Sequence, residues 1–457
     1  EDAPVWRRPV QTANSVQAPT AEQIDARRAW WQLAAFHFEH PSWRSDFLPY
    51  LAADSATVSD WRRIGVAAWD LIQPAFMFMV GVAMPLSYRR RKAVGESGAA
   101  RFFHAFVRAM VLVLLGVFLY TRSGERTGWI FTNVLAQIGL GYFCVYLLSG
   151  FRWPVQLVAC ILLLGGYWYF MQTGYWQAAG TPRPNGQYDY AAVNADPANG
   201  EVLSGRFAPW SKNNNAAHAV DVRLLNTLAD PDGTAMDAWR ERLEGEPLTF
   251  GERVQFAVRR IFFANQTEFE FNGGGYQTLN FVPSMVTMLL GVMCGTLLIG
   301  SSSPGRKLVI LLLAAIACLV LGRVTGLYGC PIVKRIWTPS WALFSGGYVI
   351  ALLALFYFLF DILPFRRLAF PLVVVGMNSL VMYLMGQLMG GFTRERIVRP
   401  HLTGLLETLL GTDPAVDGEF YLLGDQMYGR LIEPIAVLAV FWLIVYWLYR
   451  QKVFVRI

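Results

Sequence analysis

The stretch IGVAAWDLIQPAFMFMVGVAMPLSYRRRK, residues 64–92, decides the fold of this 457-residue chain. From Ile64 to Tyr88 it carries one formal charge, Asp70, near its start. A helix of about 25 mainly apolar residues is long enough to cross a bilayer core of about 30 Å. The segment ends in three arginines and Lys92, and such a basic cluster marks the cytoplasmic side of a membrane helix. We therefore predict a transmembrane helix with Ile64 outside and Tyr88 inside.

The composition agrees with a membrane protein. Hydrophobic residues make up 54% of the chain and charged residues 16%, whereas soluble domains have about 25% charged residues. The net charge of +7 does not indicate a nucleic-acid partner, because the basic residues lie largely between apolar runs, where membrane topology places them. The five cysteines have no metal-ligand spacing, so we expect neither a metal site nor a disulfide framework.

Further apolar runs follow, separated by loops that are alternately basic and polar. With the first segment they predict an all-α, polytopic transmembrane helix bundle of nine spans with an extracytoplasmic loop cap. Since nine is odd, we expect a tenth, N-terminal span either to precede this chain or to have been lost. The eight later runs cover residues 102–120, 130–149, 153–171, 279–299, 308–322, 341–363, 370–389 and 431–449.

This pattern divides the chain into four regions. Residues 1–63 form an extracytoplasmic N-terminal segment, in which Ala29–Pro41 is predicted to be an interfacial helix rich in Trp and Phe. Residues 64–171 hold four spans, residues 172–276 form the extracytoplasmic cap, and residues 277–457 hold five spans with an outer loop at 390–430. The C-terminus is then cytoplasmic, and we expect a multi-pass membrane protein.

Several short motifs carry polar residues into these helices. His40-Pro41-Ser42-Trp43 precedes the first span, and Asp-Leu-x-x-Pro-x-Phe-x-Phe-x-x-Gly, residues 70–81, enters it. Later spans contain Leu-Ala-Gln at 135–137, Leu-Asn at 279–280 and Gly-Met-Asn-Ser at 376–379. In this order and over most of the chain, these motifs resemble the heparan-α-glucosaminide N-acetyltransferase family of multi-pass membrane acyltransferases.

The resemblance implies a transmembrane acetyl transfer. Acetyl-CoA, as co-substrate, would be used from the cytoplasmic side, and an amino sugar would be acetylated on the other side. His40 would be catalytic, as general base or as transient acetyl carrier, since imidazole can take a proton or an acyl group near neutral pH. The alternative is a surface histidine at a membrane interface. The spacer between the His motif and Asp70 is longer than is usual in the family.

Asp70 is the second candidate catalytic residue. It could orient His40 or accept a proton from the substrate amine, because ionisable residues in membrane helices tend to be functional. The alternative is a helix N-cap. For acceptor binding the candidates are Trp43, Gln73, Gln137 and Asn280. Buried amides in lipid also form interhelical hydrogen bonds, and that interpretation stays open.

The donor side has its own candidates. Arg89, Arg90 and Arg91 suit the phosphates of CoA, since guanidinium groups bind phosphate oxygens in pairs. Alternatively, these arginines only mark the cytoplasmic end of a membrane helix. Asn378 and Ser379 could line a polar seam for the pantetheine arm, or could bond neighbouring helices.

Three functions remain open from the sequence. The leading hypothesis is a membrane acyltransferase that acetylates an amine or hydroxyl of a sugar or glycan. The alternatives are a transporter or flippase of a sugar or lipid-linked precursor, and an inactive scaffold. The expected partners are membrane lipid and the acceptor sugar, and a homodimer is left open.

Overall fold

The structure is a computed structural model that describes residues 66–122, 127–178, 190–227, 237, 241, 249–262, 268–401 and 429–455. In these ranges the regular secondary structure is helical, and the one β-type contact is an isolated bridge between Ser211 and Asn214. The predicted all-α class is therefore confirmed. The predicted interfacial helix, His40 and Trp43 lie outside the described residues.

Twelve α-helices occur in the described ranges, and we number them in chain order. They are α1 Ala68–Ala93, α2 Gly98–Thr121, α3 Val134–Ser149, α4 Trp153–Ala178, α5 Ala216–Thr227, α6 Phe250–Phe262, α7 Phe281–Ile299, α8 Pro304–Tyr328, α9 Pro339–Tyr357, α10 Phe370–Met377, α11 Ser379–Phe392 and α12 Gly429–Arg450.

The spans predicted from the sequence correspond to these helices. Among the described residues seven helices are long and apolar enough to cross a membrane, and α10 with α11 makes an eighth if the bent pair is one span. The 16-residue α3 is apolar but shorter than a usual span. The chain is thus a polytopic membrane bundle. We call the end of the bundle where α1 begins the Asp70 end and the opposite end the Arg89 end.

The span predicted at 370–389 as one helix is instead broken. Helices α10 and α11 meet at Asn378 with a bend of 67°. Asn378 Nδ2 donates to the backbone oxygen of Val453 at 3.1 Å, and its Oδ1 accepts from the backbone N–H of Val455 at 2.9 Å. The break is therefore filled by the C-terminal tail, whose backbone groups bond to this side chain. The sequence pattern did not predict the break because the runs 370–377 and 380–385 on either side of Asn378 and Ser379 are mainly apolar.

Helices α1 and α7 form the centre of the bundle. Their backbones touch at Gly81, Gly291 and Gly295, and a Cβ at any of the three would overlap a backbone carbonyl of the other helix. Small residues spaced four apart allow this close approach between membrane helices. The core around this contact also includes side chains of α2, α3, α8 and α9. Outward-facing positions carry exposed apolar side chains such as Phe103, Leu162 and Leu313, as lipid-facing surfaces require.

The cap packs on the Asp70 end of the bundle. Trp210 and Ala217 from the cap form a small core with Tyr167 and Met171 of α4 and Val333 of the loop between α8 and α9. Helix α4 continues to Ala178, past its predicted end at residue 171. The cap is therefore fixed to the membrane helices by apolar contacts, which places its polar side chains directly over their ends.

Candidate functional site

A buried ion pair lies at the Asp70 end. Asp70 is in the first turn of α1, and Lys334 belongs to the loop between α8 and α9. Lys334 Nζ lies 2.8 Å from Asp70 Oδ1, and the two side chains are 9% and 2% exposed. Burial lowers the pKa of Lys334, and the charge of Asp70 opposes that shift. The pair joins two distant parts of the chain. Because both side chains are buried, each charge is stabilised by the other.

The helix-cap interpretation of Asp70 is wrong. The N-cap of α1 is Ala67, which makes no side-chain cap hydrogen bond, and Asp70 occupies the third position of the helix. In that position the negative charge of Asp70 interacts favourably with the positive end of the helix dipole. Lys334 was missed at the sequence level, because a single lysine in a loop carries no signal of burial.

Two of the predicted acceptor residues meet at the turn 277–280, which precedes α7. Gln137 of α3 donates from Nε2 to the backbone oxygens of Phe131 and Thr278, at 2.7 and 3.1 Å. Asn280 Nδ2 donates to the backbone oxygen of Arg335 at 2.6 Å. Since Arg335 follows Lys334, these amides connect α3, the turn and the loop that holds the ion pair.

The cap adds residues that the sequence analysis did not select. Asp221 of α5 is 1% exposed, and its Oδ2 accepts the backbone N–H of Thr278 at 2.9 Å. Asn215 Oδ1 accepts from Gln277 Nε2 at 2.8 Å. His218 is also buried, and burial lowers its pKa to about 4. The run of three asparagines indicated a turn, so nothing in the sequence pointed to a buried polar site here.

These side chains form one connected group, which we call the polar cluster. It brings together two predicted acceptor residues and the candidate catalytic Asp70, whereas Gln73 is half-buried one turn further along α1. The members of the polar cluster are Asp70, Gln137, Asn215, Asp221, Gln277, Thr278, Asn280 and Lys334.

A cavity of about 700 Å³ opens at the Arg89 end. Its cationic lining residues are Arg89, Lys92 and Arg101, and Tyr88 and Tyr146 add aromatic surface. The volume is within the range of about 300–1,000 Å³ that small-molecule sites occupy. A cavity with three cations suits an anionic, phosphate-bearing ligand.

The three predicted donor-site arginines differ in their surroundings. Arg89 lines the cavity, whereas Arg90 is exposed and is not among its lining residues. Arg91 pairs with Glu96 at 2.9 Å. Asn378 lies at the helix break and binds the C-terminal tail, and Ser379 beside it is exposed. The structure thus brings one of these five residues to the cavity, and adds Lys92 and Arg101.

Residues 21–193 match the family model described as heparan-alpha-glucosaminide N-acetyltransferase, catalytic. Over these residues the chain is similar to the heparan-α-glucosaminide N-acetyltransferase family. The match includes His40, Asp70 and the three arginines at the end of α1, and the apolar helices agree with a membrane N-acetyltransferase family. No curated protein matches the chain.

The match to heparan-α-glucosaminide N-acetyltransferases covers only part of the two sites. It includes Gln137 and the α1 to α3 lining of the cavity. Lys334, the turn 277–280 and Asp221 lie beyond its end at residue 193. Residues beyond the match therefore complete a polar cluster that begins within the acetyltransferase-like region.

Acetyl-CoA fits the cavity by the chemistry of its lining. The phosphates of CoA would meet Arg89, Lys92 and Arg101, and the thioester it carries supplies an activated acetyl group. Within the described ranges no group of three His, Cys, Asp or Glu side chains is placed to hold a metal ion.

Proposed function

We propose that this chain transfers an acetyl group from acetyl-CoA, bound on the cytoplasmic side, to an amine or hydroxyl of a sugar on the other side. The observation that supports this most directly is the course of α1. This one helix begins at the buried Asp70 and ends at Arg89, which lines the cationic cavity. It also lies wholly within the acetyltransferase-like region.

The proposed reaction breaks the thioester C–S bond and forms an amide or ester bond to the acceptor. CoA leaves as its thiol, and the acceptor nitrogen or oxygen gives its proton to a base. His40 is the proposed base or acetyl carrier, because imidazole serves either role near neutral pH. Asp70 would orient His40 or bind the acceptor, and Trp43, Gln73, Gln137 and Asn280 would contact the sugar.

An acetyl-CoA assay in membranes tests this function. Wild-type protein should acetylate glucosamine-type acceptors, and His40→Ala should lose at least about 100-fold in rate, the lower range for general acid–base catalysis. Equal turnover by the two proteins would rule out the role of His40. No turnover by the wild type with any sugar amine or hydroxyl would rule out the proposed function itself.

The broken span at Asn378 favours a transporter as the second candidate, because interrupted helices often form transport sites. The polar side chain at this break is, however, occupied by the C-terminal tail. Thermal stability separates the two candidates. CoA should raise the unfolding temperature of an acyltransferase, whereas a protein that only transports sugar should not respond to CoA.

A further inference from the structure

Several buried side-chain oxygens of the polar cluster accept no hydrogen bond in the described structure. Gln137, Gln277 and Asn280 each use their side-chain NH₂ group on an oxygen of the protein. These bonds fix the orientation of each amide, so that its oxygen faces the other way. The oxygens Gln137 Oε1, Gln277 Oε1 and Asn280 Oδ1 are buried and accept no hydrogen bond in the described structure. A buried acceptor without a donor costs about 1–3 kcal/mol.

Asp221 lies in the same group with one carboxylate oxygen unsatisfied. Its Oδ2 accepts the N–H of Thr278, whereas Oδ1 is buried and has no hydrogen-bond partner among the described residues. The residues next to Thr278 in the turn are Gln277 and Leu279, and Asn280 follows. The carboxylate is thus attached to the turn that supplies two of the three unsatisfied amides.

Three other buried or partly buried carboxylates in the described ranges are paired with basic side chains. Asp70 faces Lys334 at 2.8 Å, Glu201 faces Lys212 at 2.8 Å and Glu433 faces Arg399 at 2.9 Å. Asp221 has no basic side chain within ion-pair distance in the described ranges. An uncompensated buried charge is costly, and a bound cation offsets that cost.

We propose that Asp221, together with the amide oxygens of Gln137, Gln277 and Asn280, binds the ammonium group of the acceptor. This rests on the proposed function and narrows it, because it selects an amine-bearing sugar over one that offers only hydroxyls. An ammonium would bring one positive charge and three N–H donors, and these four buried oxygens each lack a donor in the described structure. Asp221 is then a further binding residue, contributed by the cap.

The loop that Asn280 contacts and the start of α9 hold two buried indole groups that suit the rest of a sugar. The indole N–H groups of Trp337 and Trp341 are buried and donate no hydrogen bond in the described structure. Trp337 directly follows Ile336, whose backbone oxygen accepts a hydrogen bond from the Tyr167 hydroxyl at 3.1 Å. Indole N–H donors suit the hydroxyl oxygens of a sugar.

Direct binding to the purified full chain, without acetyl-CoA, tests the proposal. In isothermal titration at pH 7, glucosamine should bind at least ten-fold more tightly than glucose. Asp221→Asn should remove this difference, since it keeps the shape of the side chain but not its charge. The matched control is Asp196→Asn, an exposed carboxylate in the same cap, which should keep the wild-type preference.

Two outcomes would overturn the proposal: equal binding of the two sugars by the wild type, or an unchanged preference in Asp221→Asn. Should Asp221→Asn not fold, the wild-type comparison of the two sugars still decides. Calcium chloride is the control ligand, and Ca²⁺ binding without any preference for glucosamine would make this an inorganic cation site instead.

The transfer assay separates this proposal from the proposed function. Acetylation of glucosamine with the same KM in the wild type and in Asp221→Asn would refute the ammonium site and leave the function standing. Selective glucosamine binding without acetyl transfer would refute the function and leave the ammonium site standing.

Discussion

At the residue scale, Asp70 and Lys334 show how a membrane bundle handles two buried charges. They are 264 positions apart in the chain, yet their charged atoms lie 2.8 Å apart with almost no exposure to solvent. Neither charge would be tolerated alone, since removing one partner of a buried pair leaves the other uncompensated. The pair therefore ties α1 to the loop between α8 and α9.

Replacing Lys334 by methionine should destabilise the protein by about 3–5 kcal/mol, the usual cost of breaking a buried ion pair. Chemical unfolding in detergent measures this. The control Lys452→Met removes an exposed lysine and should change stability by about 0.5 kcal/mol or less. Equal stability of Lys334→Met and the control would mean that the ion pair contributes nothing.

At the scale of one element, α5 carries two buried titratable groups whose pKa values shift in opposite directions. Burial raises the pKa of Asp221 to about 6, and the hydrogen bond from the Thr278 N–H partly offsets this shift. Folding therefore favours the protonated form of Asp221. Its contribution to the free energy of unfolding is fully present below the unfolded pKa of 3.8 and is lost as the pH rises through 6. Burial lowers the pKa of His218 to about 4, so folding favours its neutral form. Its contribution to the free energy of unfolding is fully present above the unfolded pKa of 6.5 and is lost as the pH falls through 4.

We expect the two contributions to oppose each other between pH 4 and pH 6 in the wild type. Each shift of about two pKa units corresponds to roughly 3 kcal/mol. His218→Gln should expose the Asp221 contribution, so that the unfolding temperature falls as the pH rises over this range. Asp221→Asn should show the reverse slope. If both variants followed the wild-type profile, the two side chains would not be buried in the folded state.

Three glycines allow the backbones of α1 and α7 to lie in direct contact. A Cβ on Gly291 would overlap the backbone oxygen of Phe78, and Gly81 and Gly295 are equally confined. Because the opposing atoms belong to a helix backbone, they cannot move away as a flexible side chain would. Residues larger than glycine would therefore push the two helices apart.

Gly291→Ala should destabilise the protein by about 3 kcal/mol, the upper part of the usual range for overpacking. Thermal unfolding in detergent is the measurement. The matched control is Gly165→Ala in α4, where a Cβ would meet no atom within 4 Å. It should be neutral or stabilise by about 0.5–1 kcal/mol, as alanine does in a helix. A wild-type unfolding temperature for Gly291→Ala would contradict the close helix contact.

At the scale of the whole molecule, the two candidate sites lie at opposite ends of the same bundle. The polar cluster is built from α1, α3, the cap and the loop before α9, whereas the cationic cavity is lined by the other ends of α1 to α3 and α7. Helix α7 between them is the most buried of the candidate spans. The proposed transfer across the membrane would use one site at each end.

Arg89→Ala should weaken CoA binding by about ten-fold or more, since hydrogen bonds to charged groups contribute about 1.5–3 kcal/mol. The shift of the unfolding temperature at increasing CoA concentration measures the affinity. Arg367→Ala, an exposed arginine outside the cavity lining, is the control and should bind CoA as the wild type does. Unchanged affinity in Arg89→Ala would exclude this cavity as the CoA site.

The amino-acid sequence by itself determined the membrane class, the approximate positions of the spans and the family resemblance. A run of about 20 apolar residues is a local signal, because in lipid a helix must satisfy its backbone hydrogen bonds within the segment. Asp70, Gln137 and Asn280 could be selected for the same reason, since polar side chains in apolar runs are conspicuous.

Only the tertiary structure decided which partners these residues have. Lys334, Asp221 and Gln277 lie in loops and in the cap, where charged and amide side chains are ordinary and nothing local predicts their burial. Likewise the break at Asn378 depends on a tail more than 70 positions away. The physical reason is that a helix span is fixed by hydrogen bonds within one segment, whereas a buried polar site is fixed by groups that meet only when distant segments pack.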